Sequence, residues 1–265
     1  MKSCKPNSAP SSGSALSGFT ILELAIVLVI MGLVYTIGAP VMLGITDTAN
    51  KVKISRTMAD AQSALINFSS TNYRLPCPAD PDTTPGTSGY GMEDCTLDAG
   101  MIPHVTLVLD QASLDTAMRP IRYIVYRVAD ATEVDGTQPN DADLAVAVNR
   151  LDNLEDVNQI NIWDLCQALE NSDPAYGTGE ASISTLPFST SANGCQGAGS
   201  FTNQAFVLAS AGNRDSSRPA DGLDFDGINV AEGSCFASPE QSWDIVYDDV
   251  VAATSFTTIM GLLCQ

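Results

Sequence analysis

The spacing of apolar residues changes character twice along the chain. From Phe19 to Ile45, "FTILELAIVLVIMGLVYTIGAPVMLGI", apolar residues are nearly continuous and Glu23 is the one charged side chain. Further on, Ile54, Met58, Ala61, Leu65 and Phe68 recur at spacings of four, three, four and three, which is one face of an amphipathic helix. Together the two stretches predict a single helix from about Ile21 to about Ser70, on the order of 75 Å long at about 1.5 Å per residue. Its first half is apolar all round and suits lipid or a bundle of helices. Its second half suits packing on a globular domain. Gly38-Ala39-Pro40 predicts a kink or loosening near the middle.

After that helix the periodicity shortens. Residues 74–95, "RLPCPADPDTTPGTSGYGMEDC", are crowded with Pro and Gly and predict a loop. Strands are expected over 120–130, 143–149 and 204–212, with one or two more over 242–255 around a polar break at Asp248-Asp249. Residues 161–172 predict a short helix with Ile162, Leu165, Cys166 and Leu169 on one face, and "FTTIMGLLC" closes as a strand or short helix. There is no internal repeat. The expected class is α+β: a long N-terminal helix, half transmembrane and half packed, on a globular domain with an antiparallel β-sheet and disulfide-stapled loops.

Charge narrows the function. A formal net charge of −19 argues against sequence-independent nucleic-acid binding, which needs Lys and Arg against phosphate. The compact basic cluster Lys51, Lys53 and Arg56 reads as a solvated helix face. The polar segment 1–17 carries Lys2 and Lys5 and no acid. With acids following the apolar run, the positive-inside rule places the C-terminal bulk outside the cytoplasm. The run is long for a signal peptide and near the ~20 residues of a spanning helix.

Seven cysteines are present: Cys4 before the apolar run, and Cys77, Cys95, Cys166, Cys195, Cys235 and Cys264 after it. Two readings stand, disulfides made in an oxidising compartment or reduced buried thiols. If oxidised, sequence-near pairs are expected: 77–95, 166–195 and 235–264. Stapling the 74–95 loop is worth roughly 3 kcal/mol in a chain-entropy estimate. With no CxxC pair and His104 as the single histidine, an ordinary zinc site is not expected.

The stretch "GFTILELAIVLVIMGLV" resembles the N-terminus of type IV pilins and type II secretion pseudopilins. Gly18, Phe19, Thr20 and Glu23 match the family pattern, and Gly32 and Pro40 fall where many pilins carry helix-loosening residues. The resemblance implies a leader over 1–18 and a membrane or filament-core segment over 19–45. A periplasmic or extracellular globular domain then spans 46–265. It implies that a prepilin peptidase cuts between Gly18 and Phe19, and that the new Phe19 amine is methylated. It also implies that Glu23 pairs with the Phe19 amine of a neighbouring subunit, offsetting the cost of two charges in an apolar bundle. Expected partners are the peptidase, other pilin or pseudopilin subunits and the inner membrane, with no nucleic acid. The long leader lacks the family's strong basic run. The 74–95 region with "GMIPHVTLVL" also resembles a loop of some pilin-like secretion proteins.

Other candidates have bland alternatives. Asp215, Asp221, Asp224 and Asp226 crowd the loop 213–229. Calcium accepts such oxygen donors, and some pseudopilins use it in a C-terminal loop. The spacing is not that of an EF-hand, and turns favour Asp in any case. Asp248-Asp249 either completes that site from a neighbouring strand or lies at the surface. His104 has no nucleophile or second acid in a recognisable pattern and reads as structural. "GTSGYG" and "GAGS" lack a P-loop Lys and read as loops. Trp163 and Trp243 read as core aromatics. No catalytic constellation is visible. The expected function is therefore a pilin-like structural subunit, with a minor subunit favoured by size. It is to be weighed against an adhesin or substrate-binding protein that uses the helix for delivery alone.

Overall fold

The computed structural model describes residues 20–109, 121–127, 142–150, 159–172, 181–184, 201–212, 225, 227–230, 235–241 and 247–265. For residues 36–48, 50, 182, 184, 227 and 230 this covers the backbone. The chain divides into two compact units, Met1–Thr46 and Asp47–Gln265.

The first helix, α1, spans Ile21–Asn72, and its helical backbone carries through Gly38, Ala39 and Pro40 without a break. Within the second unit the periodic stripe decides which side is buried: Ile54, Met58, Ala61 and Leu65 are buried, Phe68 half so. Lys51, Lys53, Arg56 and Asp60 face solvent. Tyr73 ends the helix in the left-handed region (φ 56°), its N–H donating to the Ser69 carbonyl at 2.9 Å, a helix-ending geometry that leaves the next residues free to turn.

The main sheet has strands β1 (Ala99–Met101), β2 (Arg122–Val125), β5 (Phe206–Ser210) and β7 (Val250–Thr254), all antiparallel and adjacent in that order. Every residue of β2 and β5 is buried, so both faces of the sheet centre are covered. A second, three-stranded sheet orders β4 (Phe201–Asn203), β3 (Ser182–Ser184) and β6 (Cys235–Phe236); β3 is antiparallel to β4 and parallel to β6. Helix α2 (Ile162–Asn171) starts at a capping box in which Asn161 and Asp164 exchange side-chain-to-backbone bonds. Helix α3 (Phe256–Leu263) is capped by Ser255. Ile54, Met58, Ala61 and Leu65 of α1 share one apolar core with the main sheet, α2 and α3.

The class is thus α+β with an antiparallel sheet and disulfides. Among the described residues no helix is long and apolar enough to cross a membrane.

Four local expectations are corrected. Residues 143–149 form no strand. Asp143 instead accepts the Ala145 N–H at 2.8 Å and the Arg127 Nε–H at 3.0 Å, a local turn that competes with ladder pairing. Leu144 is held by single backbone bonds to Tyr126 and Leu75. Asp248 and Asp249 are buried, each 2% exposed, not at the surface. Trp163 is 53% exposed, not a core aromatic; it occupies the solvent side of α2, whose opposite face buries Leu165, Cys166, Ala168 and Leu169.

The last correction concerns cysteine pairing. Cys77 does join Cys95, with Cα atoms 5.0 Å apart. Cys166 joins Cys264 across a sequence separation of 98, Cα to Cα 5.8 Å, which excludes 166–195 and 235–264. The reason is tertiary: α2 and α3 pack side by side, and that contact outranks nearness in sequence. Cys235 is disulfide-bonded too, while Cys195 lies outside the described residues. Replacing both Cys166 and Cys264 by Ser is expected to cost about 2–5 kcal/mol, read as a lower midpoint in denaturant unfolding. An unchanged midpoint would show that the α2–α3 staple adds nothing.

Candidate assembly site on the first helix

Thr20 immediately precedes helix α1. The Glu23 N–H donates to Thr20 Oγ1 at 3.3 Å and to the Thr20 carbonyl at 3.1 Å, and the Leu24 N–H donates to the same carbonyl at 3.2 Å. Thr20 is therefore an N-cap that satisfies donors otherwise left orphaned in the first turn. The sequence carries this as Thr-x-x-Glu, a capping-box spacing that the overlapping apolar motif obscures. The Glu23 carboxylate also sits where the positive end of the helix dipole favours an anion.

Around this carboxylate the helix is apolar and exposed. Ile21, Leu22, Leu24, Ile26, Leu28 and Met31 are all more than half exposed, and the same holds on to Tyr35 for most of the turns between. A surface so apolar around its whole circumference needs lipid or other helices to cover it. A carboxylate covered along with it needs a cation or hydrogen-bond donors. Gly32 lies in open space, where a Cβ would meet nothing within 4 Å. Its effect is thus on intrinsic helix propensity, about 1 kcal/mol weaker than Ala. Gly18 and Phe19 lie outside the described residues, as do Asp215, Asp221, Asp224, Asp226 and Trp243.

The remaining candidates fall into two separate clusters. Asp249 bonds both Gly212 and Asn229: its Oδ2 accepts from Asn229 Nδ2 at 2.9 Å and its Oδ1 from the Gly212 N–H at 3.4 Å. Asn229 Nδ2 also donates to the Tyr247 hydroxyl at 3.1 Å, and Asn229 Oδ1 accepts the Ala237 N–H at 2.8 Å. Arg122, buried in β2, donates to the Asn229 carbonyl and lies between the rings of Phe225 and Phe236, 5.5 and 5.1 Å from their centroids. A Cβ on Gly212 would overlap the Asp248 carboxylate, so a larger residue there requires that side chain to shift. Sequence reasoning missed this polar knot; an Arg opening the apolar run "RYIV" was its one signal.

The second cluster holds the stapled loop. Arg74 grips Glu93 through two 2.7 Å bonds, and Glu93 also accepts the Cys77 N–H at 3.1 Å. Burial alone would push the Glu93 carboxyl up. The bonds from Arg74 and Cys77, with the Arg74 charge, outweigh it and hold the group below its ordinary value. Cys77, Glu93 and Cys95 have ligand atoms within 4.8 Å of one another, but both thiols are committed to the disulfide. His104 is buried, edge-on to Tyr90 at 5.1 Å, and its ring fills the space a Cβ on Gly91 would need. Nothing here presents a nucleophile to a base.

Burial lowers the His104 pKa below its ordinary 6.5, partly countered by a hydrogen bond to Ile102. The unfolded chain then binds more protons than the folded one. This contribution to stability is intact above about pH 6.5 and is lost as pH falls through the folded value. An NMR titration of the single imidazole is expected to give a midpoint below 6.5, and His104→Gln is expected to flatten the stability-versus-pH curve in that window. A midpoint at or above 6.5 would contradict it.

Two curated proteins are similar to the chain. It is 32% identical over 75 residues to type II secretion system core protein G of Pectobacterium carotovorum subsp. carotovorum, covering 28% of this chain and 48% of that protein. It is 45% identical over 47 residues to the type IV narrow pilus major component PilA5 of Thermus thermophilus, covering 18% of this chain and 40% of that protein. The chain thus spans less than half the length of either relative. No protein-family profile and no solved structure matches.

Proposed function

We propose that this chain, a relative of the type IV pilins and type II secretion pseudopilins, is a structural subunit of such a filament, and a minor one. The observation that carries the reading is Glu23: a single carboxylate in the first turn of a helix whose exposed surface from Ile21 to Tyr35 is otherwise apolar. In the filament the apolar turns pack with those of neighbouring subunits. Before assembly the run from Phe19 to Ile45, uncharged apart from Glu23, holds the subunit in the inner membrane with its C-terminal bulk in the periplasm. A prepilin peptidase cuts between Gly18 and Phe19, the Phe19 amine is methylated, and Glu23 of one subunit pairs with that amine on the next. Both charges then leave water together, which is tolerable where either alone is not. Gly32 and Pro40 weaken the helix enough for it to adjust between bilayer and bundle. The function is assembly, with no catalytic step.

Mass spectrometry of the native N-terminus is expected to find methylated Phe19 as the first residue. An intact chain, or one cut near Ala39, would sink the processing. Glu23→Ala is expected to leave cleavage intact and to lower incorporation into filaments by about tenfold or more, since it leaves the neighbour's amine unpaired. Normal incorporation of that variant would remove the pairing role.

A further inference from the structure

The stapled loop brings three donors together. Cys77 Sγ, Cys95 Sγ and a Glu93 carboxylate oxygen lie within 4.8 Å of one another. The disulfide is only one of the ties that keep them there. Arg74 holds both Glu93 oxygens at 2.7 Å, and the Cys77 N–H donates to Glu93 Oε2 at 3.1 Å. Next to the two cysteines, the Asp94 N–H donates to the Pro78 carbonyl at 2.8 Å. Arg127 Nη1 donates to the carbonyls of Cys95 and Leu97 at 3.0 and 3.1 Å, and the Glu93 N–H to Thr106 Oγ1 at 3.1 Å. None of these bonds needs the sulfur bridge, so they hold the donors close when the bridge opens. Cys77 is buried and Cys95 is exposed, so a thiolate from outside reaches the disulfide at Cys95.

We propose that, once the Cys77–Cys95 bridge is reduced, Cys77, Cys95 and Glu93 bind a thiophilic divalent cation of the zinc class. Two thiolates and a carboxylate suit such an ion, with a water completing four-coordination. Metal–sulfur bonds of about 2.3 Å set the two sulfurs about 3.8 Å apart, an opening that the exposed Cys95 side chain has room to make. Arg74 becomes the outer partner that orients the ligating carboxylate. The charges of two thiolates, Glu93, Arg74 and a divalent cation sum to zero, so the loaded site carries no net charge. The reductant is a dithiol. Its first thiolate attacks Cys95 Sγ and releases Cys77; its second sulfur then displaces Cys95, and the reagent leaves as a disulfide. Its two electrons and two protons are now on the cysteines, and the cation displaces those protons on binding. The closeness that suits the metal also favours re-oxidation, so cation and bridge compete for the same pair. This inference stands on the stapled loop and does not rest on the filament reading.

The test uses the full chain in detergent micelles, reduced with excess dithiothreitol, freed of reductant without air and given Zn²⁺ alone. Alkylation of each cysteine is then followed by peptide mass spectrometry. Zn²⁺ is expected to slow alkylation of Cys77 and Cys95 by about tenfold or more and to leave Cys166 and Cys264 unchanged. With Cd²⁺ in its place, an ultraviolet thiolate-to-metal absorption band is expected, weaker by the same site in a chain carrying Cys77→Ser and Cys95→Ser. Glu93→Gln is expected to weaken Cd²⁺ binding by about tenfold. Unchanged alkylation of Cys77 and Cys95 overturns the proposal, as does equal protection of Cys166 and Cys264, which would be binding to thiols in general. Wild-type affinity in the Glu93→Gln chain removes the carboxylate and overturns the three-donor site. A Cys77–Cys95 bridge that resists excess dithiothreitol overturns it as well.

Discussion

Strands β2 and β5 are buried at every residue, and the Asp47–Gln265 unit is organised by the need to cover both their faces. A strand with apolar side chains on both sides has no tolerable solvent face. The Ile54–Leu65 stripe of α1, Leu165 and Leu169 of α2, and Phe256 and Ile259 of α3 are the cover, all parts of one core. Several polar groups caught inside are paired: the Tyr123 hydroxyl donates to the Pro76 carbonyl at 2.9 Å, and Arg150 donates to the carbonyls of Asp143 and Asp164. Such bonds matter less for the energy they add than for the penalty avoided when a buried group would otherwise go unpaired.

Helix α1 solves two different problems with one secondary structure. Beyond Asp47 its apolar residues repeat at helical spacing, and tertiary packing supplies what helix propensity alone does not. Near Thr20 they occur all round and are exposed among the described residues. There the local stability of the first turn comes from the Thr20 cap and the acid beside it. An exposed apolar surface of this kind is stable only when lipid or other helices cover it.

Legibility of the sequence followed the range of the interactions involved. The extent of α1, the buried stripe from Ile54 to Leu65, the strand over 206–210 and the helix over 162–171 rest on local periodicity, and all could be read directly. The Cys77–Cys95 staple is local as well. What failed was non-local. Cys166 finds Cys264 because two helices pack together, and no spacing rule contains that contact. Asp248 and Asp249 are buried because Asn229, Gly212 and the sheet converge on them. The strands β3, β4 and β6 have two or three residues each, too few to show a period. Of the assembly site, Glu23 was legible as a charge out of place, whereas the Thr20 cap needed the helix start to be seen.

The staple between α2 and α3 has a mechanical consequence. Cys166 and Cys264 close a covalent ring that contains β3, β4, β5, β6 and β7. Tension applied between the two helices passes through the sulfur bridge and bypasses the enclosed chain, so those strands cannot be drawn out lengthwise while the bridge holds. A chain pulled from its two ends would therefore yield first in the segments outside the ring, where β1 and β2 are held by hydrogen bonds and the core.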